Sequence, residues 1–292
     1  MLHEGAMVRA VLRYAFAPVF FVGFIGAAMV LSRGGDAPLV LGPLLVLAVL
    51  VSFVVERVVP YERAYNAPQG DGRRDVMHAV VNEASNAVSI LSLPAIAAMF
   101  PKTGLWPSEW PVPLQLLLAV VVADAGITLA HFASHRSAFL WRFHAVHHSV
   151  QRMYGFNGLM KHPLHQSLEL SCASLPLLLL GMPVHVAWLL GFAVAVQLLL
   201  QHSNVDVRVG PLVHLWAVGP AHRFHHSNRA GEEDVNFGLF SSVWDYLLGT
   251  FRFDPAASPR VGELGVVGRP DYPVRYLAQI LEPFRNERAD AT

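Results

Sequence analysis

Residues 11–32 and 38–58 form two apolar runs of about twenty residues each, nearly free of charge. A helix rises about 1.5 Å per residue, so either run is long enough to cross the roughly 30 Å hydrocarbon layer of a bilayer. In lipid, every backbone polar group must be satisfied within the chain, which leaves helices or closed barrels. Continuous apolar runs of this length, without period-two alternation, select the helix.

Four further apolar stretches follow, at 79–100, 112–130, 164–180 and 184–200. The third stretch of the six is interrupted by Asn82, Glu83 and Asn86, so its start is expected to face protein or the interface. The last two are joined by Gly181-Met182-Pro183, a turn signal, and form either a short spanning hairpin or a re-entrant pair. The run to Leu31 is too long for a cleaved signal peptide. Only 14% of the chain is charged, against about 25% in an average soluble domain. Because the apolar residues come in blocks, the excess reads as membrane rather than as a larger core.

Charge sets the expected orientation. If the N-terminus is cytoplasmic and all six stretches cross, 14 Lys and Arg fall on the cytoplasmic side and only Arg33 and Lys102 on the other, before the C-terminal segment is counted. The same layout brings both histidine-rich windows to that side. Lys+Arg and Asp+Glu balance at 21 each, and no nucleic-acid motif is present, so nucleic acid is not an expected partner. The single cysteine, Cys172, excludes a cysteine-ligated cluster. After residue 252 the chain becomes polar, and Val274 to Phe284 is a short amphipathic stretch suited to a membrane surface.

Histidine carries the chemistry. Of fifteen, ten lie in windows 131–165 and 222–226. The fourth apolar stretch runs into His131 and His135, an i, i+4 pair on one helix face. Asp124 lies two turns earlier on that face and is expected to hold a ligand imidazole by its second nitrogen. His144, His147 and His148 follow at i, i+3 and i+4, and His222, His225 and His226 repeat the pattern. Adjacent histidines point about 100° apart on a helix, so one segment can serve two metals. His202 follows the sixth apolar stretch. Nine imidazoles suit two metals better than a single site of about four ligands. His3, His78, His185 and His214 lack motif context and are read as structural, and His165 gains no support from its spacing.

Taken together, these motifs resemble the fatty acid hydroxylase/sterol desaturase superfamily over roughly residues 120–251. The resemblance rests on Asp124 with HxxxH at 131–135, on the run Leu140 to Ser149, and on Lys161-His162-Pro163-Leu164. It continues through Gln201 to Asn204, His222 to Ser227, Asn236-Phe237-Gly238, Trp244-Asp245 and Leu248-Gly249-Thr250. Two departures stand out: His165 occupies a position where members often have Glu, and Tyr246-Leu247-Leu248 replaces a run that usually includes Phe.

The resemblance implies an all-α, polytopic membrane helical bundle with a cytosolic histidine-rich di-metal cap. Its divisions would be an N-terminal transmembrane region at 1–110, a catalytic domain at 111–252 and a C-terminal cytosolic tail at 253–292. It implies two Fe ions, O2 as co-substrate, and ligation by His131, His135, His144, His147, His148, His202, His222, His225 and His226, with His162 carried over beside them. Asp124, Asn236 and Asp245 would support the ligands. The expected reaction is hydroxylation of a lipid C–H bond; desaturation on the same scaffold is the alternative. No iron–sulfur ligand set and no GxGxxG fingerprint occurs, so electrons are expected from a separate reductase or ferredoxin-like donor. A metal transporter would place its ligands within the spans rather than at their ends. A zinc hydrolase would normally set a Glu beside them, as in HExxH.

Overall fold

The computed structural model describes residues 2–99 and 104–285, with the backbone alone at 2–4, 93, 94 and 97. Lys102 and Phe100, both part of the sequence reading, lie outside the described residues. Helices dominate, and no β-strand occurs among the described residues; three isolated bridge pairs tie loops together. The long helices are α1 (Leu2–Leu31), α2 (Ala37–Val58), α3 (Gly72–Ala97), α4 (Val112–Arg136), α6 (Pro163–Leu180) and α7 (Val184–Gln201). Between and after them come the short helices α5 (Ala138–His148), α8 (Gly219–His225), α9 (Val243–Leu248) and α10 (Tyr276–Leu281).

All six apolar stretches are helices. Four of them, α1, α2, α4 and α7, are long and apolar enough to cross a membrane. α3 and α6 fall short because each carries polar residues that serve the interior. Asn82 of α3 donates to the carbonyls of Leu159 and Lys161, and Gln166 of α6 donates to Asn86. The interrupted start of α3 therefore faces protein, as its polar residues imply.

The core forms around α7, which is buried on nearly every side and packs on α1, α2, α4 and α3. The outward faces of α1, α2 and α4 are the reverse of a soluble surface. Val19, Val22, Leu39, Val46, Val54, Leu117 and Val121 are all exposed. Such continuous apolar exposure marks a surface that meets another apolar phase, here the bilayer.

Two glycines set how closely the backbones approach. A Cβ on Gly126 of α4 would lie 2.2 Å from the Cys172 carbonyl oxygen of α6, so these helices touch backbone to backbone. A Cβ on Gly158 would lie 2.4 Å from the Leu198 carbonyl oxygen of α7. That contact seats the 155–159 turn on the end of the central helix.

Buried polar groups fasten the cap to the bundle. Glu56 near the end of α2 accepts from Gly155 N–H at 2.7 Å and Asn204 N–H at 3.3 Å. Asp75 of α3 accepts from the Tyr154 hydroxyl at 2.6 Å and from Asn157 Nδ2 at 3.0 Å. Arg152 makes a two-point ion pair with Asp71, at 2.6 and 2.8 Å. The segment from 253, expected as a tail, packs onto the cap: Leu264, Val266 and Tyr272 are buried, and Gln279 of α10 bonds to His78 Nε2 and Ser149 Oγ. The opposite face of α10 leaves Leu277 and Leu281 exposed.

Candidate metal centre

The nine motif histidines all reach one end of the bundle, where α4 and α7 finish and α5 and α8 begin. They divide into two sets. His131, His135, His144, His148 and His225 form one, and His147, His202, His222 and His226 the other; within each, one nitrogen per residue lies within 4.8 Å of all the rest. The divergence of adjacent histidines makes the division. His147 and His148 enter different sets, and so do His225 and His226. Each HxxHH segment thus contributes to both.

The contacts fix several tautomers. A carbonyl oxygen only accepts, so a ring nitrogen facing one must carry the proton. His131 Nδ1 donates to the Phe237 carbonyl at 3.0 Å, and His225 Nδ1 to the Val235 carbonyl at 2.8 Å. Their Nε2 atoms, 2.8 Å apart, are then both unprotonated. In the second set, His147 Nδ1 donates to Met160 O at 2.8 Å and His202 Nδ1 to Leu198 O at 3.0 Å. Their Nε2 lone pairs meet at 3.2 Å. Facing lone pairs repel unless a cation lies between them. Each set contains such a pair, so the donor atoms fit a metal ion in both places. Neutral imidazole is a common ligand for iron, zinc, copper and nickel.

Electrostatics agree. Burial, followed by the positive charge of neighbouring imidazoles, holds His144, His147, His148, His222, His225 and His226 far below the ordinary imidazole range. His202, at the end of α7, is lowered to about 3 by burial. All seven are neutral at physiological pH, the form that ligates.

The supporting residues differ partly from the sequence reading. Asp124 does not touch an imidazole. Seven residues at 1.5 Å each put it about 10 Å along the helix from His131, too far to reach that ring. It accepts instead from Leu239 N–H at 3.1 Å, Phe240 N–H at 2.8 Å, Ser241 N–H at 2.9 Å and Trp244 Nε1 at 2.9 Å. Asp245 accepts from Phe237 N–H at 2.6 Å and Gly238 N–H at 2.9 Å. Together they clamp the loop whose Phe237 carbonyl orients His131.

Asn236 has φ 55°, a left-handed conformation that Asn tolerates better than most residues. Its side chain holds Ala221 O at 2.8 Å and Arg252 O at 2.7 Å, tying α8 to the following loop. His162 joins neither set. Its Nδ1 accepts from Leu164 N–H and caps α6, while Nε2 donates to Ile280 O at 3.2 Å. His165 lies against His144, with ring centroids 4.4 Å apart, and Ser134 Oγ is 3.0 Å from its Nε2. Among the histidines without motif context, His78 is buried and bonded on both nitrogens, and His214 pairs with the Tyr246 hydroxyl.

Asp234 escaped the sequence reading. Its Oδ1 lies 2.9 Å from His135 Nδ1, and that contact holds the carboxyl below the usual range. The acidic run Glu232-Glu233-Asp234 just before Asn236 was the available signal. Trp141, whose ring lies 4.8 Å from His135 and 5.1 Å from His148, covers the first set.

Comparison with known proteins agrees with this geometry. A family model described as fatty acid hydroxylase matches residues 116–250. Ornithine lipid hydroxylase OlsE of Rhizobium tropici is 33% identical over 81% of this chain and 73% of its own length. Alkylglycerol monooxygenases of Caenorhabditis elegans and Danio rerio are 25% and 28% identical over about half of this chain, and about 30% of their own lengths. No solved structure matches. With both histidine sets inside the matched segment, the chain belongs to the fatty acid hydroxylase family, and it is a membrane oxidoreductase of the kind that hydroxylates lipids.

Proposed function

We propose that the two histidine sets hold a pair of iron ions and that the chain hydroxylates an intact membrane lipid, using O2 and electrons from a separate donor. The observation that carries this reading is the pair of buried, all-imidazole sets with facing Nε2 lone pairs, placed where apolar helices end. Bound iron would supply the oxygen activation needed to break an unactivated C–H bond. One oxygen atom enters the product and the other leaves as water, which requires two electrons and two protons per turnover.

The chain's own residues do the rest. His131, His135, His144, His148 and His225 would hold one ion, and His147, His202, His222 and His226 the other. The Phe237, Val235, Met160 and Leu198 carbonyls and Asp234 fix ring orientation. The buried cap excludes bulk water.

The relatives named above act on an ornithine lipid and on alkylglycerols, and both names state hydroxylation or monooxygenation rather than desaturation. An amphiphilic lipid entering from the bilayer is accordingly the substrate class. The surplus of Lys and Arg at the histidine end supports a cytoplasmic location for the cap, within reach of a soluble reductase or ferredoxin-like partner. The exposed Leu277, Leu281 and Phe284 support a position for α10 on that membrane surface.

The test is metal analysis of the purified protein together with O2-dependent lipid oxidation in the presence of a reducing system. About two irons per chain and an oxygenated lipid are expected. His147→Ala and His225→Ala should each lower bound iron and abolish turnover. Zinc without O2 uptake, or unaltered turnover in either variant, would reject the proposal.

A further inference from the structure

A narrow, mostly apolar cleft runs between α3, α4, α6 and α7, beside the metal centre. Its walls change character along its length. At the far end it is lined by Met182, Ala187 and Leu190. At the histidine end the lining includes Lys161, Glu169, Gln166 and Asn86. Three landmarks put this polar end beside the metal sets. Ile127 lies one helical turn before His131, Leu198 is the residue whose carbonyl orients His202, and Met160, whose carbonyl orients His147, immediately precedes Lys161.

Lys161 and Glu169 form an ion pair within this wall, and each is at most 6% exposed. A buried ion pair contributes little net stability, because desolvation offsets its Coulomb attraction; packed apolar side chains often do as well. Neither residue is needed to orient a histidine: Lys161 braces the cap through its backbone carbonyl, which accepts from His78 and Asn82. An ammonium carries three donors, and among the described residues Glu169 is the one partner of Lys161 Nζ. The carboxylate likewise has spare lone pairs: Glu169 Oε1 lies 3.8 Å from His165 Nδ1, beyond hydrogen-bond distance, and that nitrogen has no partner. Donors and acceptors thus remain at the inner end of an otherwise apolar cleft.

We infer that Lys161 and Glu169 are the specificity-determining pair of the lipid site, and that they bind an uncharged amide linkage of the substrate beside the metal centre while its alkyl chain fills the cleft. The pair is neutral overall, so a ligand group with net charge would leave an uncompensated charge in a low-dielectric site. An amide supplies both complements, its carbonyl to the Lys161 ammonium and its N–H to the Glu169 carboxylate. An ester supplies only the first. The direction of the polarity gradient matches a lipid in the leaflet nearest the cap, head at the metals and chain toward the midplane. This inference rests on the lipid-hydroxylase reading and names the substrate feature that reading leaves open.

The test compares two chain-matched probes, an N-acyl amphiphile and its O-acyl ester isostere, by equilibrium binding to the full-length protein in lipid nanodiscs. The wild type should bind the amide roughly tenfold or more tightly than the ester, the worth of one hydrogen bond to a charged partner. Glu169→Gln, which replaces the charged acceptor with a neutral carbonyl, should reduce the preference. The double variant Lys161→Met with Glu169→Leu, which removes both charges together and is expected to stay folded, should bind both probes equally. A ratio of affinities does not depend on the fraction of protein folded, so a merely structural role would not move it. A wild type that prefers the ester, or that binds neither probe, overturns the inference, as does a preference that survives both variants. O2-dependent oxidation of another lipid in that same preparation would leave the hydroxylase reading standing.

Discussion

Asp124 is the most informative single position, because it touches no imidazole and yet governs one. Its two oxygens receive four donors, Leu239 and Phe240 on Oδ1 and Ser241 and Trp244 on Oδ2. In Asp124→Asn one oxygen becomes an NH2 group, and whichever side it takes, two buried donors face another donor. Losing two hydrogen bonds to a charged acceptor costs about 1.5–3 kcal/mol each, so about 3–6 kcal/mol in all. That is a large share of the roughly 5–15 kcal/mol by which an ordinary domain is stable. The 237–241 loop should therefore shift, even where the rest of the bundle holds. The Phe237 carbonyl then withdraws from His131 Nδ1, and a lost orienting partner typically weakens metal binding about 10- to 100-fold. The effect should be confined to the set that contains His131, since no member of the other set bonds to this loop. Competition with a chromophoric chelator would show one weakened and one intact site per chain, and thermal unfolding followed by tryptophan fluorescence would show a lowered midpoint. Wild-type affinity at both sites in Asp124→Asn would refute the chain of causes.

Further perturbations follow from other contacts. Stripped of metal, the protein should lose stability as pH falls below about 6.5. The buried histidines have lowered folded-state values, so the unfolded chain binds more protons in that window, at about 1.4 kcal/mol per pH unit for each such group. For His202 the window runs down to about pH 3. Unfolding midpoints of the chelator-treated protein, measured across this range, would show a steep acid limb; a flat profile below pH 6.5 would refute the burial of neutral imidazoles. Asp71→Ala strands the buried Arg152 guanidinium and should destabilise the cap by about 3–5 kcal/mol, read as a lower unfolding midpoint; Arg152 and Asp71 removed together should cost less. Gly158→Ala places a methyl group 2.4 Å from Leu198 O and 2.9 Å from His202 Nδ1. It should disturb the hydrogen bond that orients His202, reducing metal in the four-histidine set first, measured by metal stoichiometry.

The sequence carried the helices because lipid allows so few alternatives, and six apolar stretches became six helices. It carried the nine imidazoles because their spacing is helical. The split into five and four is contained in the adjacency of His147 with His148 and of His225 with His226, once both lie on helices. What stayed hidden lies in the backbone. Phe237, Val235, Met160 and Leu198 orient rings through carbonyls, and a carbonyl has no residue-type signature. Asp124 was visible as a buried carboxylate, but its partners are amides 115 to 117 residues away and an indole 120 residues away. His162 sits in a recognisable motif, yet the Pro after it starts a helix and turns its ring into a cap rather than a ligand.

All four candidate spans are finished by Gln201, whereas neither imidazole set is complete before the 222–226 segment, which brings His225 to one and His222 and His226 to the other. During synthesis the lipid-embedded scaffold is therefore laid down first, with six of its imidazoles waiting, and the last three arrive on a short helix outside it. A metal held there would close the assembly instead of seeding it, so a nascent chain halted ahead of α8 would already be a bundle and not yet an enzyme.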